Sequence, residues 1–196
     1  MSNFLPDNYE APSSGGHYLK LKGGKTRIRI ISKPILGWEA WTDENKPVRG
    51  KYTPDEYTRL QNIPNPKINA GQKQNPKHFW AVVVWNFAGE SIEILQLTQN
   101  SIQNAIKAYS QSPDWGAPYS YDLEIEKSGE GLETEYKVLA MPKSTFNKDS
   151  VFALLKESPV MLDKLYTGDD PFNLDDIEKG VAMKDIEELE KSILPF

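Results

Sequence analysis

The run His78-Phe79-Trp80-Ala81-Val82-Val83-Val84-Trp85-Asn86-Phe87 constrains this chain most, because it is β-branched or aromatic almost throughout. Pro76 bounds it on one side and Ala88-Gly89 on the other. Such a run is a strand, and this one is apolar on both faces. Alternation places Phe79 and Trp85 together, where core packing is expected of them. Trp80 falls on the opposite face, divided between core and exposure.

Other segments supply partners. Tyr18-Leu19-Lys20-Leu21-Lys22 alternates, Gly23-Gly24 turns, and Lys25 to Ile31 alternates again. Ile28 and Ile30 then point inward and Arg27 and Arg29 the other way. Ile35 to Trp41 is a further short strand, and Glu90 to Leu97 is the hairpin partner of the apolar run. Thr98 is placed to cap a helix with Ile102, Ala105, Ile106 and Tyr109 at helical spacing, which Ser112-Pro113 ends. Tyr119 to Lys127 and Thr134 to Met141 alternate around a Ser128-Gly129-Glu130-Gly131 turn. Residues 43–77 read as a long basic loop over one face of the sheet, with a short helix at Asp55 to Leu60. Two short amphipathic helices are expected at Asp149 to Glu157 and Pro159 to Tyr166.

This order predicts a β-rich α+β fold: a five-stranded OB-fold barrel with a helix between strands 3 and 4, a long basic loop insertion and C-terminal helices. A sandwich would need more strands, and a parallel α/β fold more helices. Residues 1–17 read as an N-terminal arm, 18–167 as the barrel with its packed helices, and 168–196 as an acidic C-terminal tail.

Composition narrows the chemistry. With no cysteine and only His17 and His78, neither a disulfide nor a structural zinc is expected. No secretory pattern and no stretch of the roughly 20 apolar residues of a membrane span is present, so a soluble cytoplasmic protein is expected. The net charge of −5 hides an asymmetry: 13 Lys/Arg against 5 Asp/Glu between Lys20 and Trp80, but 4 against 10 between Met161 and Phe196. Exposed charges are screened beyond about 8–10 Å, so an acidic average does not exclude a polyanion partner.

Four of the five Trp stand between residues 38 and 87, interleaved with Lys and Arg. Single-stranded nucleic acid is bound by stacking bases on aromatic faces while cations track phosphates. The stacking candidates are Trp38, Trp41, Tyr52 and Trp80; the phosphate candidates are Arg27, Arg29, Arg49, Lys51, Arg59, Lys73 and Lys77. At the other end, Asp175, Asp176, Pro195 and Phe196 compose a peptide-ligand pattern, an aromatic side chain and a carboxylate behind an acidic run. Such a tail either binds a partner or lies back on the basic body as a DNA mimic. The competing reading is a docked last helix with Met183, Ile186, Leu189 and Ile193 as its core stripe.

Catalytic and cofactor signatures fail. Lys22-Gly23-Gly24-Lys25 lacks the frame of a phosphate loop. The Asp pairs at 169–170 and 175–176 lack calcium-loop spacing, and no base stands near a Ser or Thr nucleophile. No enzyme activity, cofactor or metal is expected.

Several stretches carry a resemblance: Phe4-Leu5-Pro6 through Ala11-Pro12, Gly24-Lys25-Thr26-Arg27-Ile28-Arg29-Ile30, Pro34 through Trp41, Lys46-Pro47-Val48-Arg49, Lys77 through Asn86, and Gly129 through Tyr136. Over about residues 4–141 the chain resembles a group of phage single-stranded-DNA-binding proteins. The resemblance implies an OB-fold replication protein that coats single strands without sequence choice. It also implies action in phage replication, recombination or repair, with a polymerase, helicase/primase or recombinase recruited through the tail. Lacking Cys, the chain does not carry the zinc of one branch of that group. Ser192-Ile193-Leu194 stands where such tails have Asp-Asp. The alternatives are a β-rich phage structural or adaptor protein and an acidic DNA-mimicking inhibitor; the basic 20–80 window counts against the latter.

Overall fold

The computed structural model describes residues 16–141 and 146–193. In chain order these form β1 (Gly24–Ile30), β2 (Ile35–Trp41), β3 (Pro47–Lys51), α1 (Pro54–Gln61), β4 (Ile68–Asn69), β5 (Gln72–Lys73), β6 (Lys77–Asn86), β7 (Ser91–Leu97), α2 (Asn100–Gln111), β8 (Asp122–Ser128), β9 (Glu135–Met141), α3 (Lys148–Glu157) and α4 (Asp176–Ser192). Short 3-10 turns occupy Gly131–Glu133 and Leu162–Tyr166.

The apolar run is β6, and both of its edges are used. β7 pairs along one edge, from Trp80 opposite Leu97 to Asn86 opposite Ser91. The other edge is shared, β2 pairing with Lys77 to Ala81 and β1 with Val84 to Asn86. Between them the strand breaks at Ser32-Lys33-Pro34, where Ser32 Oγ accepts from Val83 N–H (2.8 Å) and Pro34 has no N–H to offer. The sheet runs β3-β2-β6-β1-β8-β9, with β7 off this path on β6, and its strand pairs are antiparallel. The described residues therefore form a β-rich α+β structure with four α-helices. The sheet is not closed: among the described residues no ladder joins β7 to β9.

Alternation along β6 explains why the run is apolar on both faces. Phe79, Ala81 and Val83 enter one layer with Phe152 and Leu155 of α3, Leu162 and Leu165 of the second 3-10 turn, and Ile186 and Leu189 of α4. Val82 and Val84 enter a second with Ile28, Ile30, Leu95 and Leu97, α2's Ile102 and Ile106, and Leu123, Ile125 and Val138. Each such side chain fully buried is worth about 1.5–3 kcal/mol. Gly37 is required where β2 crosses Phe79, since a Cβ there would lie 2.4 Å from the Gly50 carbonyl oxygen.

Several expectations are corrected. Tyr18 to Lys22 does not fold back on β1 across Gly23-Gly24. Instead His17 O accepts from Ile94 N–H (2.7 Å) and Leu19 N–H donates to Ile94 O (2.9 Å), so this segment occupies the edge of β7. Residues 43–77 are not one loop, because β3, α1 and the β4–β5 hairpin lie there, held by a small core of Ala40, Leu60 and Ile63. The α2 N-cap is Gln99 rather than Thr98. The expected helix at 159–166 is a 3-10 turn over Leu162–Tyr166. Arg29 faces inward, 1% exposed, with its guanidinium on the buried Asp122 carboxylate.

The acidic end of the chain is folded against the sheet through Asp175 to Ile193. Asp175 Oδ1 caps α4 by accepting from Ile177 and Glu178 N–H, and Glu178 returns a bond to Asp175 N–H. Ala182, Ile186 and Leu189 are buried beneath it, as the docked-helix reading describes.

Tyr121 sits 3% exposed and donates to Gly116 O at 3.2 Å. Burial first, and Tyr109 beside it, push its phenol up to about 12 from the ordinary 10.0. Below the unfolded value the proton is bound in both states; between the two values only the folded state keeps it, so stability falls as pH rises through this window. Urea midpoints are expected to drop between pH 10 and 12, less so in Tyr121→Phe; equal slopes would refute this.

Candidate nucleic-acid interface

One face of β2, β3 and β6 carries a continuous strip of rings. Trp38 on β2 lies opposite His78 of β6 and Gly50 of β3. Because Gly50 has no side chain, α1 closes over it with Glu56 and Arg59, which brings Tyr57 to Trp38 with ring centroids 4.8 Å apart. Tyr52, just past β3, meets Trp38 at 5.0 Å and His78 at 4.5 Å. His78 meets Trp80 edge-on at 6.5 Å. The helix that places Tyr57 starts at Thr53, whose hydroxyl accepts from Glu56 N–H, with Pro54 at its first turn.

Exposure varies along the strip. Tyr52 is 54% exposed, while Trp38, Tyr57, His78 and Trp80 are half-buried. Leu36, 39% exposed, continues the face beside Trp80. His78 Nε2 and Trp80 Nε1 are buried without a hydrogen-bond partner among the described residues. Burial holds the His78 imidazole below its ordinary value, with Gln103 partly opposing. A neutral ring in an aromatic strip adds stacking surface without adding charge.

Of the sequence-predicted residues, the structure brings Trp38, Tyr52 and Trp80 together here. Arg59 borders them, half-exposed, bonded to Glu56 and to Arg49 O. Lys73 is exposed on the β4–β5 hairpin, its Nζ on Gln61 O. Lys51 and Lys77 are exposed too, but their positions alternate to the other face of the sheet from Trp38. Sequence reasoning set His78 aside as an isolated imidazole and did not select Tyr57; the Thr53-Pro54 helix start is the signal that locates Tyr57.

The remaining candidates lie elsewhere. Trp41 and Arg49 belong to a network on the opposite face around Glu39, which is 3% exposed. Trp41 Nε1–H donates to Glu39 at 3.0 Å, Arg49 donates to Glu39 at 2.9 Å and to Gln96 at 2.8 Å, and Gln96 donates to Glu39 at 2.5 Å. Beside it runs a groove of about 350 Å³ lined in part by Tyr18, Lys20, Trp41 and Tyr136. Arg27 and Arg29 share the Asp122 carboxylate. Asp175 caps α4 and Asp176 opens its first turn, on the layer that covers the other face of β6. Pro195 and Phe196 lie outside the described residues. No helix among the described residues is long and apolar enough to cross a membrane.

No protein-family model matches the chain, and no solved structure does. Among curated proteins it is similar to a probable ssDNA-binding protein of Escherichia phage T5, 23% identical over 138 residues covering 62% of this chain and 53% of that protein. The chain thus spans about half the length of that relative.

Proposed function

We propose that this protein binds single-stranded DNA without sequence choice, stacking bases on the strip formed by Trp38, Tyr52, Tyr57, His78 and Trp80. The observation that carries the reading is the continuity of these rings across three elements of one sheet face. Stacking on aromatic faces suits any base, since each has a π-face. Arg59 borders the strip, and Lys51 and Lys77, on the other face at the ends of β3 and β6, meet phosphates where the strand passes those ends. The partial similarity to the phage T5 protein supports the same ligand.

The scaffold is of the OB type, five strands in the order β7-β6-β1-β8-β9 with α2 between β7 and β8, extended by β2 and β3. In this reading the protein is not an enzyme and acts in the host cytoplasm during phage DNA replication or recombination. The acidic end, including Pro195 and Phe196, recruits a polymerase, helicase/primase or recombinase.

Titration of the intrinsic Trp fluorescence with oligo(dT) tests the reading. Quenching is expected, with an affinity that falls with salt at about −0.7 in log–log slope per phosphate neutralised. Absence of both quenching and a salt-dependent complex refutes it. A stable complex with a phage protein, unaffected by oligonucleotide, would favour the adaptor alternative.

A further inference from the structure

Two unpartnered features on different parts of the surface match each other. The first is the β4–β5 hairpin, a finger whose six residues from Ile68 to Lys73 are all exposed. Ala70 (φ 50°) and Gly71 (φ 78°) turn it tightly. Ile68 is 56% exposed near its tip, flanked by Lys67 and Lys73. Those lysines hydrogen-bond only to uncharged oxygens, of Asn45 and Gln61, and neither has a carboxylate partner among the described residues. Among the described residues Ile68 joins no apolar cluster of its own copy.

The second feature is a cleft of about 190 Å³ between α4, the second 3-10 turn and the Ser32–Pro34 break. Ile35, Val160, Leu162, Val181 and Ile186 make it apolar, and Val181 is 49% exposed at its mouth. Asp163 and Asp185 also line it, without an ion-pair partner among the described residues. The third charged lining residue, Lys33, is already engaged with Glu188 at 3.7 Å.

We infer that copies of this chain associate head to tail, the hairpin of one seating Ile68 in the α4 cleft of the next. Lys67 and Lys73 then face Asp163 and Asp185. The occupant is chosen by complementarity: an apolar hole with an acid rim calls for an apolar knob with basic flanks, and the chain itself presents one. Because the two surfaces differ, the contact is heterologous and propagates into an open row instead of closing as a symmetric pair. A row of this kind would run along a coated strand with the aromatic strip, on the face of β6 opposite α4, left free. The association uses surfaces outside the strip and stands independently of the DNA reading.

The chain has no cysteine, so introduced thiols report cleanly. Ile68→Cys and a mass-tagged Val181→Cys, both at exposed positions, are mixed under mild oxidation with poly(dT) and, at high protein concentration, without it. The mixed disulfide dimer is expected as the main product, and adding Asp185→Lys to the second variant, which lies outside the DNA strip, is expected to suppress it. No mixed dimer in either condition overturns the inference, as does Ile68→Cys dimerising equally with itself. Poly(dT) binding without the mixed dimer leaves the DNA reading standing alone. The mixed dimer without any poly(dT) binding leaves the association standing alone.

Discussion

Replacing Asp122 with alanine is expected to destabilise the protein by about 3–5 kcal/mol, the usual consequence of stranding buried charge. Asp122 is wholly buried at the start of β8, and Arg29 is 1% exposed on β1. Arg29 Nε donates to Oδ1 at 2.7 Å and Arg27 Nε to Oδ2 at 2.8 Å, so one carboxylate serves two guanidinium groups. Burial pulls Arg29 below the ordinary arginine value, and Asp122 opposes that pull. Tyr119 O accepts from Arg29 at 3.1 Å and the Phe146 ring lies 4.7 Å from its guanidinium carbon. Removing the carboxylate leaves the Arg29 charge inside with one carbonyl. Arg27, its side chain 33% exposed, has a route to water. Changing Asp122→Leu together with Arg29→Met is therefore expected to recover much of the loss, because an apolar pair removes both desolvation terms. Urea unfolding at constant m-value measures both variants. A loss below about 1 kcal/mol for Asp122→Ala would mean that this pair does not tie β1 to β8.

The same pair shows where sequence reasoning stops. Alternation correctly sent Ile28 and Ile30 to one face and Arg27 and Arg29 to the other. It assumed that the second face met solvent, as a half-buried strand usually does. What covers Arg29 comes from far along the chain, Asp122 and Phe146, and no local period announces it. Elements with strong periods were legible: β1, β2, β6, β7, α2, β8, β9 and α3 stand close to their expected positions. β3 was not, since Pro47-Val48-Arg49-Gly50-Lys51 has too little apolar content to show alternation, and its strand state comes from pairing with β2. Charge misdirected the reading of the C-terminal end, since acidity dominates α4's composition while Ala182, Ile186 and Leu189 fix its position. Cutting the chain before Asp169 would thus uncover the layer beneath α4 along with any change in ligand access. Of the site, the ring types were legible and their grouping was not. Trp38 and Trp41 are three residues apart on one strand and end on opposite faces.

That separation sets the second large effect. Tyr52→Ala is expected to weaken oligo(dT) binding about 5- to 150-fold, the range of about 1–3 kcal/mol for a base stacked on an aromatic ring. Tyr52 is the cleanest probe, because it is 54% exposed and, among the described residues, its ring contacts are Trp38 and His78. Trp38→Ala is expected to cost at least as much, but Trp38 also packs against the small Ala40–Leu60–Ile63 core, so part of its effect is structural. Trp38→Phe retains the ring and most of that packing, and should fall between Trp38→Ala and the parent. Trp41→Ala is the control that decides the face. It lies with Glu39 and Arg49 on the other side of the sheet, beside the Tyr18 and Tyr136 groove. Its removal should leave affinity nearly unchanged if bases stack on the strip. Should Trp41→Ala weaken binding while Tyr52→Ala does not, the strand runs along that groove and the strip is a packing feature of α1. Lys51→Ala and Lys77→Ala report on phosphates: each should lower the salt slope by about 0.7 if its ammonium neutralises one. A lowered slope for both, with Tyr52 required, would place the DNA across β3, β2 and β6 with its backbone at the ends of those strands.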